Sequence, residues 1–361
     1  MIIRNLLRRI ISIVINLFLS VKEKKVSDFK VEKVTNILII RQHNQFGDML
    51  ASVSLFRALK ENYPESKLTL LASPENYYAV EKNNFIDKLF VFDKKKLLKQ
   101  NYIKQLWEIL KTDYDISIVP VTVAISNTSC ILCGLSNSDN KIGPASLNGK
   151  DNPLKNIFHY RIKLDWRKCY DAHVSDFILD IVRPFNIKTK NFSSVINFDN
   201  EDLYFAKEFI TKTKSEENKL LFGFHVGAAK PQNRWSLEKY RDLIYQLKNL
   251  FDFDFYFTGS NADKEQIDFM KKYFPSAGYF LNNKISQLTA LISLSDLFIT
   301  NDTGVMHVAG VTNVKQISIF GPTNPFNWAP IGNNKFFIRK SEFIDDVQVE
   351  DVINVVKIIF S

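Results

Sequence analysis

Cysteine, clustered charge and long apolar runs are all scarce in this chain, and each scarcity narrows what it can be. Three cysteines, Cys130, Cys133 and Cys169, cannot build a disulfide framework, and Cys130-x-x-Cys133 lacks the second pair that would complete a metal site. A reducing cytoplasm is the expected setting. The formal charge of +9 comes from 48 Lys and Arg against 39 Asp and Glu, spread without a run of five or six like charges. Nucleic-acid binding therefore has no motif behind it, whereas an anionic membrane face or a phosphorylated substrate suits the excess. The longest uncharged stretch of the N-terminal segment, Ile10 to Val21, falls short of the ~20 residues a spanning helix needs.

What is present points to a globular chain of two cores. Its 361 residues exceed the roughly 250–300 at which a single core stops growing, and 24% charged residues with average apolar content exclude disorder. At the N-terminus, Ile2, Ile3, Leu6, Leu7, Ile10, Ile13, Val14, Leu17 and Phe18 recur at helical spacing, while Asn5, Arg9, Ser12, Asn16 and Ser20 trace a polar stripe. Arg4, Arg8 and Arg9 would sit among lipid headgroups. The expectation over residues 1–21 is an amphipathic helix lying on the membrane, with the rest of the chain peripheral at the inner face of the cytoplasmic membrane. The rivals are a signal peptide or single-span anchor, although no small-x-small site precedes the lysines of VKEKK, and a helix simply packed on the protein. Lys22 to Lys33 reads as a polar connector, which closes a first segment at 1–32.

From there strand and helix alternate. ILII between Asn36 and Arg41 is a short buried strand, followed by a Gly-containing loop and a helix expected from Asp48 to Tyr63, with Leu50, Val53, Leu55, Phe56 and Leu59 on its apolar face. LTLLAS, KLFVFD and DISIVPV continue as strands, and a second series begins at LLFGFHVG and includes FDFYFTG and SDLFITND. The fold class is α/β, with parallel sheets in two Rossmann-like domains at 33–199 and 200–345. Val347 to Phe360 reads as a closing helix, the segment 346–361 packing back across the domains through Val349, Val352, Ile353, Val356 and Ile359. Ligands of open α/β sheets bind at the carboxyl ends of strands, so the loops at 42–48, 227–234, 259–261 and 301–307 are the places to inspect. Two sheets facing a central cleft would let those loops converge.

The turn NDTGVMHVAG, Asn301 to Gly310, follows one strand and opens a helix, which aims unpaired amides and the positive end of a helix dipole at one spot. Such a spot suits phosphate. Arg234, in NRW, can make forked contacts to phosphate oxygens, and Lys230 stands nearby. Ser236-Leu-Glu-Lys reads as a helix entry, and Trp235 as core. Asp48 lies at a loop-to-helix turn, where Asp is a favoured N-cap and also a possible base.

Four blocks now carry a resemblance: ILIIRQHNQFGDMLASVSLFRALKENYP, NKIGPAS, GFHVGAAKPQNRWSLEKYRDLI and LISLSDLFITNDTGVMHVAGVTNVKQISIFGPTNP. From about Val34 onward the chain resembles glycosyltransferase family 9, the heptosyltransferase-like enzymes with the GT-B fold. The resemblance implies inverting, metal-independent transfer of a sugar, heptose or related, from a nucleotide diphosphate donor to a lipid-linked saccharide such as lipopolysaccharide core. No cofactor and no metal are expected; the nucleotide sugar, with ADP-heptose as one candidate, is substrate. Asp48 resembles the family's catalytic aspartate. Gly47, His43 and Asn44 form the acceptor-side loop beside it. Arg234 and Lys230, with Gly227, Asp302, Thr303, Gly304 and His307, match the donor-binding positions, and Asn261 lies in the third loop. There the family's ADP-heptose users carry a glutamate, whereas this chain reads Gly259-Ser260-Asn261-Ala262-Asp263, leaving Asp263 as the carboxylate at hand. Two other classes fit the same residues: a nucleotide-sugar epimerase, and a membrane-bound nucleotide-sugar binding protein without turnover.

Overall fold

The computed structural model describes residues 2–29, 33–42 and 45–361, with residues 2–9 as backbone alone. It divides into two compact units, Met1–Ser194 and Val195–Ser361. The first contains α1 (Ile2–Leu19), β1 (Asn36–Arg41), α2 (Phe46–Ala51), α3 (Val53–Asn62), β2 (Lys67–Ala72), β3 (Lys88–Val91), α4 (Gln100–Leu110), β4 (Tyr114–Ile118), α5 (Asn127–Leu135), β5 (Ser138–Leu147), β6 (Lys150–Asp151), β7 (Tyr160–Leu164) and α6 (Val174–Phe177). Its strands run in the order β3-β2-β1-β4-β5, with short β6 antiparallel to β5 and β7 parallel to it. β1 is near-continuously apolar because parallel sheets are covered on both faces, and Ile37 to Ile40 are all fully buried.

The helix expected from Asp48 to Tyr63 is instead two, α2 and α3, broken at Ser52. The Ser52 hydroxyl donates back to the Asp48 carbonyl at 2.9 Å, the local competition with helix bonding that serine offers. The five expected apolar residues of this stretch are nevertheless all buried. DISIVPV also ends as a strand earlier than read, at Ile118. The connector after α1 is tied down where it is described. Val21 N donates to Asn156 O at 3.0 Å, Lys24 N donates to His159 O at 2.8 Å, and the Phe29 ring lies against Tyr160 and Phe185.

α1 packs through a small mixed face and leaves its longer apolar stripe outward. Ile15 and Leu19 meet the core cluster containing Cys130, Cys133 and Ile157, and Asn16 of the polar stripe donates Nδ2 to Pro153 O at 2.8 Å. The apolar stripe Ile10, Ile13, Val14, Leu17 and Phe18 is exposed. Cys130 and Cys133 are core residues of α5 whose thiols burial pushes up to about 12, which makes them inert hydrophobes.

The second unit contains α7 (Asn200–Thr213), β8 (Leu220–His225), α8 (Leu237–Lys248), β9 (Phe253–Gly259), α9 (Lys264–Tyr273), β10 (Gly278–Leu281), α10 (Ile285–Ser293), β11 (Leu297–Asn301), α11 (Gly304–Gly310), β12 (Lys315–Phe320), α12 (Pro325–Trp328), β13 (Lys335–Arg339) and α13 (Val349–Phe360). All six strands are parallel, in the order β10-β9-β8-β11-β12-β13. Numbered within the unit this is 3-2-1-4-5-6, the doubly wound arrangement, in which the strand order reverses between the first and fourth strands and ligands bind at their carboxyl ends. In the first unit the same reversal falls between β1 and β4. α13 buries Val349, Val352, Ile353 and Val356 in the core of the second unit, beside α8, β12 and β13.

Candidate active site

Both reversal points carry buried polar residues, and these build the candidate site from each unit separately. In the second unit the centre is Asn301, the last residue of β11 and fully buried. Its Nδ2 donates to Val226 O at 3.1 Å and Gly227 O at 3.2 Å, while its Oδ1 accepts from the Tyr240 hydroxyl at 3.0 Å and Trp235 N at 3.3 Å. One side chain thus ties the loop after β8 to the entry of α8 and the end of β11. Trp235 is core, as expected, with Nε1 donating to Val347 O at 2.9 Å. Ser236 is the N-cap of α8, its hydroxyl accepting from Lys239 N at 3.3 Å.

Around this knot stand the expected donor-binding residues. Arg234 is half-buried, with Nε donating to Ala228 O at 2.8 Å, and no carboxylate among the described residues forms an ion pair with it. Lys230 is exposed at the start of the short turn Pro231–Asn233. Asn233 in that turn donates Nδ2 to Asp302 Oδ2 at 2.8 Å, which joins the 227–234 loop to the 301–307 turn. Burial raises the Asp302 carboxyl above the usual carboxylate range, opposed by a hydrogen bond from Thr323 and by the charge of Lys230. Thr303 is the N-cap of α11 in extended conformation, and its hydroxyl is not spent on capping. The first amides of α11, from Gly304 onward, point out of the helix start. His307, one turn on, sets its ring edge-on to Trp328 of α12, with centroids 6.2 Å apart.

Two positions have packing roles that the sequence did not show. At Gly227 the carboxylate of Asp263 leaves no room for a side chain: a Cβ there would sit 2.0 Å from Asp263 Oδ1. Asp263 itself is buried, with Oδ2 accepting from Ser260 N and the Ser260 hydroxyl, each at 2.8 Å. It holds the turn after β9 and is not turned outward in place of the missing glutamate. Asn261 in that turn is exposed. His225, at the end of β8, is buried with Nδ1 donating to Thr258 O at 3.1 Å, and burial lowers its pKa against the influence of Asp263 and Thr258.

In the first unit, Asp48 is fully buried in the first turn of α2 and is not the N-cap, which is Gln45. Its Oδ1 accepts from the Thr122 hydroxyl and faces Arg41 Nη2 at 3.6 Å. Arg41 Nη2 donates to Thr122 Oγ1 at 2.6 Å and Nη1 donates to Pro120 O at 3.2 Å, so a chain of donors runs from Arg41 through Thr122 to the carboxylate. Burial lowers the Arg41 pKa and the Asp48 charge opposes this. β1 ends on Arg41 and the 120–122 segment follows β4, so the trio sits at the reversal point of the first sheet. Gly47 precedes Asp48 within α2, while His43 and Asn44 lie outside the described residues. Sequence reading missed Arg41, Thr122, Asn233 and a role for Asn301. A charged residue closing the apolar run ILII was the available signal for Arg41; Thr122 and Asn233 had none.

A sequence model described as Glycosyltransferase family 9 (heptosyltransferase) matches residues 108–352. Lipopolysaccharide heptosyltransferase 3 of Escherichia coli is 22% identical over 308 residues, covering 80% of this chain and 83% of that protein. Among solved structures, a family 9 glycosyltransferase of Veillonella parvula superimposes with TM-score 0.75 at 20% identity, covering 91% of this chain and 98% of that one. ADP-heptose lipopolysaccharide heptosyltransferase II of Escherichia coli gives TM-score 0.72 at 19% identity, covering 90% and 98%. These overlaps bear out two Rossmann-like α/β units of the GT-B kind.

The buried trio yields a stability prediction. Arg41→Met should cost about 3–5 kcal/mol in urea unfolding, because it strands a buried carboxylate. Adding Asp48→Asn to that variant should recover much of the loss; equal destabilisation by the single and double variants would show that the pair is not coupled.

Proposed function

Because the chain belongs to glycosyltransferase family 9, we propose that it transfers a heptose or related sugar, with inversion and without a metal, from a nucleotide diphosphate donor to a lipid-linked saccharide such as lipopolysaccharide core. The observation that carries this reading is the joining of the 227–234 loop to the 301–304 turn at the reversal point of the second sheet, through Asn301 and Asn233. There Arg234, Lys230, the Thr303 hydroxyl and the first amides of α11 suit a diphosphate. The leaving diphosphate gains negative charge in the transition state, and donors fixed before the reaction stabilise it without reorganisation. His307 and Asp302 complete this donor side, Asp302 accepting from a donor hydroxyl. The name of the Escherichia coli ADP-heptose lipopolysaccharide heptosyltransferase II makes ADP-heptose the first donor to try.

Asp48 is the base in this reading. Inversion requires deprotonation of the acceptor hydroxyl on the face of the sugar opposite the departing diphosphate, and one carboxylate suffices. Thr122 and Arg41 orient Asp48 and its burial keeps bulk water from competing for it. Gly47, His43 and Asn44 supply the acceptor side. The ion pair with Arg41 favours one second reading, in which Asp48 serves only to hold β1 to α2.

Asp48→Asn separates the two. A base predicts a loss of about 10²–10⁴ in kcat while ADP-heptose still raises the thermal midpoint of the variant; a structural carboxylate predicts a lower midpoint with turnover largely kept. Arg234→Lys preserves charge and loses the fork, so it should weaken donor binding by about 1.5–3 kcal/mol, read by calorimetric titration with the nucleoside diphosphate. Unchanged affinity would remove Arg234 from the site. Transfer should persist in excess EDTA, and loss of turnover restored by a divalent cation would refute metal independence.

A further inference from the structure

On a helix packed against its own protein, the apolar face normally turns inward and the polar face outward. From residue 10 onward α1 instead leaves its larger apolar stripe outward and packs through a smaller mixed face. Its inner face presents Asn16, Ile15 and Leu19 to the first unit, and the helix end is pinned by Val21 N to Asn156 O and by Arg161 Nη2 to Val21 O at 3.2 Å. Its outer face carries Ile10, Ile13, Val14, Leu17 and Phe18 at i, i+3, i+4, i+7 and i+8, with Leu17 77% and Phe18 82% exposed. The same spacing continues in sequence through Ile3, Leu6 and Leu7. A contiguous exposed apolar stripe of this kind marks an interaction surface.

The charge around the stripe says what covers it. Residues 1–22 hold Arg4, Arg8, Arg9 and Lys22 and no Asp or Glu, and the first carboxylate of the chain, Glu23, is paired with Arg161 at 3.0 Å. An apolar stripe in a segment whose only charges are positive complements a surface that is oily beneath and anionic on top. No helix among the described residues is long and apolar enough to cross a membrane. We propose that α1 is an interfacial anchor that holds the first unit on an anionic lipid bilayer through Ile10, Ile13, Val14, Leu17 and Phe18. Because the inner face is pinned to the body, the anchor fixes the first unit at the lipid surface and does not act as a loose tether. This holds whether or not the transfer reaction above is the right one.

The test is co-sedimentation of the full chain with vesicles of phosphatidylglycerol and phosphatidylethanolamine, and with vesicles of phosphatidylcholine alone. Binding is expected to the anionic vesicles, to weaken with added salt, and to fall at least about tenfold in the Leu17→Ser/Phe18→Ser variant. That variant changes only exposed side chains, so its thermal midpoint and its turnover on a water-soluble acceptor should match the parent, which keeps failure of the anchor distinct from failure of the reaction. Vesicle binding unaffected by the double substitution, or equal on both vesicle types, would overturn the proposal. So would sedimentation velocity showing a dimer that the double variant dissociates, with no vesicle binding, since a second copy would then cover the stripe.

Discussion

The buried amide of Asn301 is the constraint on which the second unit's strand ends depend. A primary amide has two N–H donors and an oxygen with two acceptor positions, and here all four are used within the protein. Aspartate would lose both donors and leucine all four bonds, with the backbone of Val226, Gly227 and Trp235 left unsatisfied in a dry interior. The loop after β8 and the turn after β11 leave their strands in different directions, and this side chain keeps them together. The position of Arg234 follows from it, because Arg234 takes its own bearing from Ala228 O in the loop Asn301 holds.

The first unit solves the same topological problem with charge. Where β1 and β4 diverge, Arg41, Thr122 and Asp48 fill the gap as a hydrogen-bonded chain among buried neighbours. Burying an ion pair is costly unless its geometry is well satisfied, so such a pair at a strand end is weak evidence for stability and better evidence for use. The two units thus share the strand order 3-2-1-4-5 and place polar residues at the same point of it.

Much of this was legible along the chain because short-range rules decide it. The strands at ILII, LLFGFH and LFITN follow from apolar runs of strand length, the entry to α8 from Ser236, and α13 from the spacing of Val349, Val352, Ile353 and Val356. The turn at Asn301–Gly310 announced itself by residue type. The break at Ser52 was hidden because a serine hydroxyl chooses between solvent and the backbone of its own helix only when its surroundings are known. The family resemblance left Asp263 as the carboxylate nearest the missing glutamate, and only packing reveals that it is pressed against Gly227 and bonded to Ser260. The helical period of α1 was evident too, but period alone carries no information on which stripe meets the protein.

By itself the sequence determined the α/β class, the two-unit length, the family resemblance and which loops end strands, since periodicity, turn chemistry and motif spacing are local properties. Only the tertiary structure decided that Asn301 and Asn233 join two loops far apart in the chain, that Arg41 and Thr122 engage Asp48 across 7 and 74 residues, and that α1 turns its apolar stripe outward. The reason is physical: hydrogen bonds and burial act between residues that are near in space, and sequence spacing reports nearness only within a helix turn or a single strand.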